Sequence, residues 1–262
     1  MFLVRYNKFH EAVFMGTASE ITGRFNTRYN SVDQYFSLKK TNEALAKENF
    51  ELRRQLATNF EGADSTGKKF VDTLRKDSSV FTRRFEYLDA KVVANSVYSQ
   101  VNTIMLHRGR NQGVENGMAV IGPQGVVGKV IAVSPNFCDV MSMLHKFQRI
   151  NSMLKKGGEI GTVTWDGEDP HFVTMQRVPK SATVAKGDSV VTSNLDNFDG
   201  TFPPNVMIGT VAEIIEEKDK TSYTLKLKTS TNFFNLQYVM LVKDLQKEER
   251  KTLADSARKS VQ

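Results

Sequence analysis

The chain has 262 residues, 40% of them hydrophobic, enough to bury a sizeable core over one or two domains. Its 36 Lys and Arg exceed 29 Asp and Glu for a net charge of +7. The cations sit in isolated pairs (Lys39-Lys40, Arg53-Arg54, Lys68-Lys69, Arg83-Arg84, Lys155-Lys156) rather than in the patch of a nucleic-acid reader, so no nucleic-acid partner is expected. Cys138 is the only cysteine, which excludes an intrachain disulfide, and no apolar run approaches the ~18 to 20 residues of a membrane span.

Residues 1–61 read as one long helix. From Phe14 to Phe60 there is no proline and the composition is rich in Glu, Lys, Arg, Gln, Ala and Leu, a stretch of roughly 70 Å at ~1.5 Å per residue. Leu38, Leu45 and Leu52 recur every seven residues and take position d of a heptad, with Asn42, Asn49 and Leu56 at a. Buried Asn at a costs stability but pairs best with its symmetry mate in a parallel two-stranded coil. Glu48 at g would face Arg53 at e of a second chain, so the pattern predicts a parallel homodimer. A single amphipathic helix packed on its own β-domain is the alternative. Upstream, Ile21, Phe25, Val32 and Phe36 repeat at a spacing of eleven, which suits a straight or slightly right-handed coil.

Residues 62–87 lose this period. The opening Gly-Ala-Asp-Ser-Thr-Gly and the mixed charge after it predict a linker with one short helical piece. Beyond it, short runs rich in Val, Ile and Thr bounded by Gly, Pro, Asn and Asp predict strands. The first set is Ala90 to Tyr98, Gln100 to His107, Met118 to Gly122, Val126 to Ser134, Asp139 to Leu144 and Arg149 to Lys155. The second is Ile160 to Trp165, His171 to Arg177, Ser189 to Thr192, Val206 to Glu216, Ser222 to Thr229 and Tyr238 to Val242.

One phrase occurs twice among these strands. Val114-x-x-Gly117-x-x-Val120, a loop and Gly128-x-Val130 return as Val184-x-x-Gly187-x-x-Val190, a longer loop and Gly209-x-Val211. A duplicated unit predicts two small β-barrels of six strands, over 88–168 and 169–243, with strand exchange between them possible. The expected fold is therefore mainly β, with a long N-terminal coiled-coil helix ahead of two six-stranded barrels. Residues 244–262 read as a charged, frayed tail.

No constellation for chemistry emerges. Gly122-Pro-Gln-Gly125 resembles a phosphate loop only loosely, because Lys129 is followed by Val130 and no helix follows; it suits a hairpin turn. A His107/Ser189 protease reading fails for want of a Gly-rich turn after Ser189 to supply an oxyanion hole. His10, His107, His145 and His171 lack metal-ligand spacing and read as surface or edge residues, so no catalytic residue, metal or cofactor is expected. For partner contact the candidates are Phe198 and Phe202, in the loop Asn194 to Pro204 that lengthens the second copy of the repeat, and Phe233 and Phe234. The Phe233 to Leu236 group suits a core plug as well.

The stretches Asn102-Thr-Ile-Met-Leu-His-Arg-Gly109, Gly113-Val-Glu-Asn-Gly-Met-Ala-Val-Ile121, Gly125-Val-Val-Gly-Lys-Val130, Gly187-Asp-Ser-Val-Val-Thr-Ser193 and Phe202-Pro-Pro-Asn-Val-Met-Ile-Gly209, in that order after a long helix, resemble the MreC family of bacterial rod shape-determining proteins. Asn194 departs from the family, which commonly has Gly there. The resemblance implies a non-catalytic periplasmic scaffold of the cell-elongation machinery for peptidoglycan synthesis. It would be attached to the inner membrane by an N-terminal anchor, expected just ahead of Met1-Phe-Leu-Val-Arg-Tyr-Asn-Lys-Phe9. The implied partners are a second copy, higher filaments, the elongation penicillin-binding protein, MreD, RodA and, indirectly, MreB. A periplasmic adaptor subunit of an export system is the alternative, but it would carry a helical hairpin between β halves, whereas here the helix precedes all the strands.

Overall fold

The computed structural model describes residues 40–41, 43–56, 60–62, 73–76, 79–193, 202–216 and 222–259. The chain divides into a unit Met1–Glu48 and a unit Asn49–Gln262. Of the long helix expected over 1–61, residues 40–41 and 43–54 are described as helical, the latter here α1; Leu38, Asn42 and the eleven-residue pattern lie outside the described residues. α1 ends by tightening, with the amides of Gln55 and Leu56 donating to Leu52 O and Arg53 O, three residues back, at 3.2 and 3.3 Å.

Helix does not continue to residue 61. Phe60–Gly62 (β1), Thr73–Lys76 (β2) and Ser79–Arg83 (β3) form an antiparallel sheet in the order β1-β3-β2, in much of the stretch read as linker. Strands of three to five residues are too short to display a two-residue period, which is why the segment looks patternless in sequence. β4 (Phe85–Asn95) follows at once, three residues ahead of Leu88, and alternates Phe85 and Tyr87 inward with Glu86 outward.

The remaining strands are β5 (Val101–Leu106), β6 (Ala119–Ile121), β7 (Val126–Val133), β8 (Cys138–His145), β9 (Ile150–Leu154), β10 (Ile160–Thr164), β11 (Phe172–Pro179), β12 (Ser189–Thr192), β13 (Met207–Ile215), β14 (Ser222–Thr229) and β15 (Tyr238–Asp244). They close into two six-stranded barrels, β15-β4-β5-β8-β7-β6 and β10-β11-β14-β13-β12-β9. Division by chain order is therefore corrected. The break at 168/169 falls inside the second barrel, β9 and β10 belong to that barrel, and β15 returns to close the first against β4 and β6. The second barrel is an insertion between β8 and the last strand of the first. β9 does for barrel 2 what β15 does for barrel 1, so the two are circular permutations of one arrangement.

The repeated phrase has one structural meaning in both copies. Gly117 and Gly187 take positive φ, 83° and 90°, ahead of β6 and β12, and their amides donate to Val130 O at 2.9 Å and Val211 O at 2.8 Å. Val120 then pairs with Gly128, and Val190 with Gly209, each followed by a bulge.

Buried Val, Ile, Leu and Met of both barrels form one apolar cluster, which includes Cys138. The barrels meet where the Gln124-Gly125 turn reaches β13: a Cβ on Gly125 would stand 2.2 Å from Met207 O, and Thr231 Oγ1 donates to Val126 O at 2.8 Å. The end of α1 packs on barrel 1. Phe50 lies against the apolar cluster, and Arg53 Nη2 donates to Pro123 O at 3.1 Å. Arg53, expected to reach Glu48 of a second chain, is thus engaged within its own chain. Burial lowers its pKa, with Tyr87 beside it acting the other way.

The last segment is not frayed within the described residues. Lys247–Lys259 form a helix, α2. Asp244, its side chain 2% exposed, pairs with Arg250 of α2 and stands 3.6 Å from Arg84 Nε, which ties the helix to the end of β15. This anchor spans 160 residues of sequence, and local composition carries no trace of it.

Candidate protein-interaction surface

Three turns from the two barrels bring aromatic side chains to one groove. The first joins β4 to β5 and carries Tyr98, 89% exposed, above the buried Val97. Its shape depends on Asn102, fully buried on β5. Asn102 Oδ1 accepts from Ser96 Oγ at 2.8 Å and from the Ser99 amide at 2.9 Å, and its Nδ2 donates to Leu144 O at 2.7 Å. A buried amide with both ends satisfied makes a rigid turn.

The second turn, a single 3-10 turn over Phe233–Asn235, precedes β15. Asn232 caps it by accepting from the Phe234 amide at 3.1 Å. Neighbouring residues of such a turn point in different directions, and here the division is sharp: Phe233 is 1% exposed and fills the core, while Phe234 is 47% exposed. Asn95 Nδ2 donates to Phe233 O at 2.5 Å and holds the turn against β4.

The third turn joins β10 to β11. Trp165 is buried on the groove floor, and its Nε1 donates to Asp169 O at 3.0 Å. Asp169 Oδ1 accepts from the His171 amide at 2.9 Å and lies 2.9 Å from its ring Nδ1. These two bonds from His171, the backbone one first, hold the Asp169 carboxyl below its ordinary range. The rings then meet across the barrel junction. His171 stacks on Phe234 at 5.2 Å between centroids, and Tyr98 meets Phe234 edge-on at 6.2 Å. The groove they line has a volume of about 480 Å³.

Of the partner-contact residues expected from sequence, Phe234 belongs to this groove. Phe233 is corrected to a core plug. Phe202 is half-buried against the apolar cluster, since Thr192 Oγ1 accepts from the Val206 amide and donates to Pro203 O and so folds its segment inward. Phe198 and Asn194 lie outside the described residues. Tyr98, Trp165 and His171 were not singled out for contact, because each sits in a turn and the turns come together only through the barrel closure. On α1, Leu45 and Leu52 are exposed at 51 and 57%, with Glu48 exposed and Asn49 half-buried, and Leu56, just past the end of the helix, is 48% exposed.

The residues weighed for chemistry stand apart. Ser189 opens β12 of barrel 2 and pairs with Thr210, whereas His107 stacks on Phe137 at 5.0 Å in barrel 1. His145, expected at the surface or on a strand edge, is buried at the end of β8 with its Nδ1 accepting from the Phe147 amide at 3.1 Å, and burial lowers its pKa. Gly122 and Gly125 form the β6–β7 hairpin turn, the Gly122 amide donating to Gly125 O at 2.7 Å. Among the described residues no group of three or more His, Cys, Asp or Glu is placed to hold a metal, and no helix is long and apolar enough to cross a membrane.

The chain is similar to cell-shape proteins throughout this β-region. The cell shape-determining protein MreC of Listeria monocytogenes is 26% identical over 219 residues, which cover 81% of this chain and 72% of that protein. The protein of the same name from Haemophilus influenzae is 24% identical over 139 residues, 53% of this chain and 38% of that protein. In fold, the MreC structure from Listeria monocytogenes matches with a TM-score of 0.56 at 22% identity, covering 81% of this chain and 92% of that one. MreC from Pseudomonas aeruginosa matches at 0.54 and 23%, covering 60% and 98%. A family model described as "Rod shape-determining protein MreC, barrel core" matches residues 92–243, from within β4 to within β15, and so takes in both barrels. On that match, over more than half of its length, the chain belongs to the MreC family of rod shape-determining proteins.

Proposed function

We propose that the chain is a non-catalytic scaffold of the cell-elongation machinery, lying in the periplasm on an N-terminal membrane anchor and presenting its barrels to cell-wall enzymes. The partners in this reading are the elongation penicillin-binding protein, MreD, RodA and, indirectly, MreB. The observation that carries it is the aromatic groove. Exposed rings from both barrels gather at their junction, the Tyr98 turn held by the fully buried and satisfied Asn102 amide, which is how a recognition surface is built rather than a core.

Dimerisation through the helix is the second part of the proposal, using Leu38, Asn42, Leu45, Glu48, Asn49, Leu52, Arg53 and Leu56. Leu45 and Leu52 support it, because they lie seven residues apart on α1 and are both exposed, and Leu56 just past its end is exposed as well. Arg53 also holds the end of the helix on its own barrel through Pro123 O. Filaments of dimers are a further step in the same reading.

The test is co-purification from membranes of the anchored protein with the elongation enzymes, with and without the β-region. The scaffold reading expects the penicillin-binding protein to be retained by the whole protein and lost without the barrels. Retention by the helix alone would overturn it.

A further inference from the structure

We infer that the groove between the barrels binds an extended peptide segment through a Lys or Arg side chain, seated on the Tyr98 and Phe234 rings and answered by the carboxylates of Glu168 and Asp169. The inference rests on reading the β-region as the partner-binding part, and it names the chemistry of what docks there.

Two properties of the groove select a cation. The first is its rings. Tyr98 and Phe234 meet edge to face, and His171 stacks on Phe234, so part of the aromatic surface of Tyr98 and Phe234 is open to a ligand. An ammonium or guanidinium over such a face is attracted by the ring quadrupole, and a guanidinium also stacks flat. The second is charge. The chain carries a net +7, yet the loop on this rim reads Asp166-Gly167-Glu168-Asp169, with all three carboxylates exposed. Lys226, which also acts on Asp169, stands over the Phe172 ring at 4.7 Å and only partly offsets that charge. A local acidic rim on a basic molecule favours a basic segment over an acidic one by charge complementarity.

Shape and rigidity point to a peptide. About 480 Å³ suits a side chain or two and their backbone, not a folded domain. The walls are set in advance: Trp165 is bonded to Asp169 O, Asn102 fixes the Tyr98 turn, and Asn232 caps the Phe234 turn. A preformed site loses little conformational freedom on binding.

The test uses the whole chain and its single tryptophan, Trp165, whose position on the groove floor makes its emission a local reporter. The probes are capped hexapeptide mixtures free of Trp and Tyr, with one position fixed as Arg, Lys, norleucine or Glu. The Arg and Lys mixtures are expected to shift the emission at concentrations at least tenfold lower than the norleucine and Glu mixtures. Tyr98→Ser, Phe234→Ser and Glu168→Gln should each weaken that response at least threefold, at unchanged melting temperature.

Four outcomes would overturn the inference: equal binding of the norleucine mixture, which marks a purely apolar contact; a response to an N-acetylglucosamine tetrasaccharide with none to the Arg and Lys mixtures, which marks a glycan site; no response to any mixture; and a cation preference that survives all three substitutions. None of these bears on the scaffold reading, which stands or falls separately on co-purification from membranes. That assay can succeed while the peptides fail, and the reverse.

Discussion

Gly128 and Gly209 hold the same place in the two barrels. Each lies opposite a valine of the preceding strand, Val120 and Val190, and each is where a neighbouring strand comes too close for a side chain. A Cβ would stand 2.1 Å from Met141 O at Gly128 and 2.3 Å from Lys228 O at Gly209. Both contacts are to backbone, which cannot swing aside. Gly128→Ala and Gly209→Ala should therefore each destabilise the protein by on the order of 3 kcal/mol, read from urea midpoints. A loss under about 0.5 kcal/mol at either site would break the equivalence.

Barrel closure by β15 predicts different behaviour for the two halves. Residues 148–231 contain all six strands of barrel 2 and should fold alone with dispersed amide signals, at a lower melting temperature because the shared apolar cluster is cut. Residues 85–147 lack β15, leave open edges on β4 and β6, and should show no cooperative transition. Cooperative unfolding of that fragment would contradict the permuted arrangement.

Phe233 and Phe234 separate core from surface within one turn. Phe233→Ala should cost about 3 to 5 kcal/mol, the range for emptying a buried aromatic site, while Phe234→Ala should cost under about 1 kcal/mol. Similar costs at the two positions would place them wrongly.

Stability should fall on the alkaline side. Burial, assisted by the charge of Asp139, pushes the Cys138 thiol up to about 11 from 9.0, and burial pushes the Tyr87 phenol up to about 12 from 10.0 against the pull of Arg53. In both cases the folded state holds its proton longer than the unfolded one. The stabilisation is complete below pH 9, declines from pH 9 to about 11 for Cys138 and from pH 10 to about 12 for Tyr87, and is then gone. Melting temperatures across pH 8 to 11 should drop, and Cys138→Ala should remove the part of the slope that begins first. An unchanged slope in that variant would assign the alkaline loss to other groups.

The exposed leucine stripe of α1 makes a further prediction. Leu45→Asp with Leu52→Asp should leave the melting of the barrels nearly unchanged and convert a dimer to a monomer in sedimentation velocity. A monomeric unmodified chain at tens of micromolar would contradict the helical dimer.

The strands and their duplication were legible in sequence because each depends on local signals: β-branched runs, turn residues and glycines at matching spacing. What was not legible is pairing over long separations. Nothing near Tyr238 says that β15 pairs with Lys91 rather than with a strand of its own half, and nothing near Asp244 announces Arg84. The same holds for the groove. Phe234 could be singled out as an aromatic residue in an apolar group, but Tyr98 and Trp165 become its neighbours only after both barrels have closed. The short strands β1 to β3 escaped for the opposite reason, since three to five residues carry too little pattern to read.

The most direct measurement of the scaffold claim is retention of the elongation penicillin-binding protein, solubilised from membranes, on the anchored protein carrying Tyr98→Ser and Phe234→Ser. Both rings are exposed, so the variant should melt within a few degrees of the unmodified protein. The account predicts at least tenfold less penicillin-binding protein on the variant than on the unmodified protein. Equal retention on both would contradict it and move the partner surface away from the barrel junction.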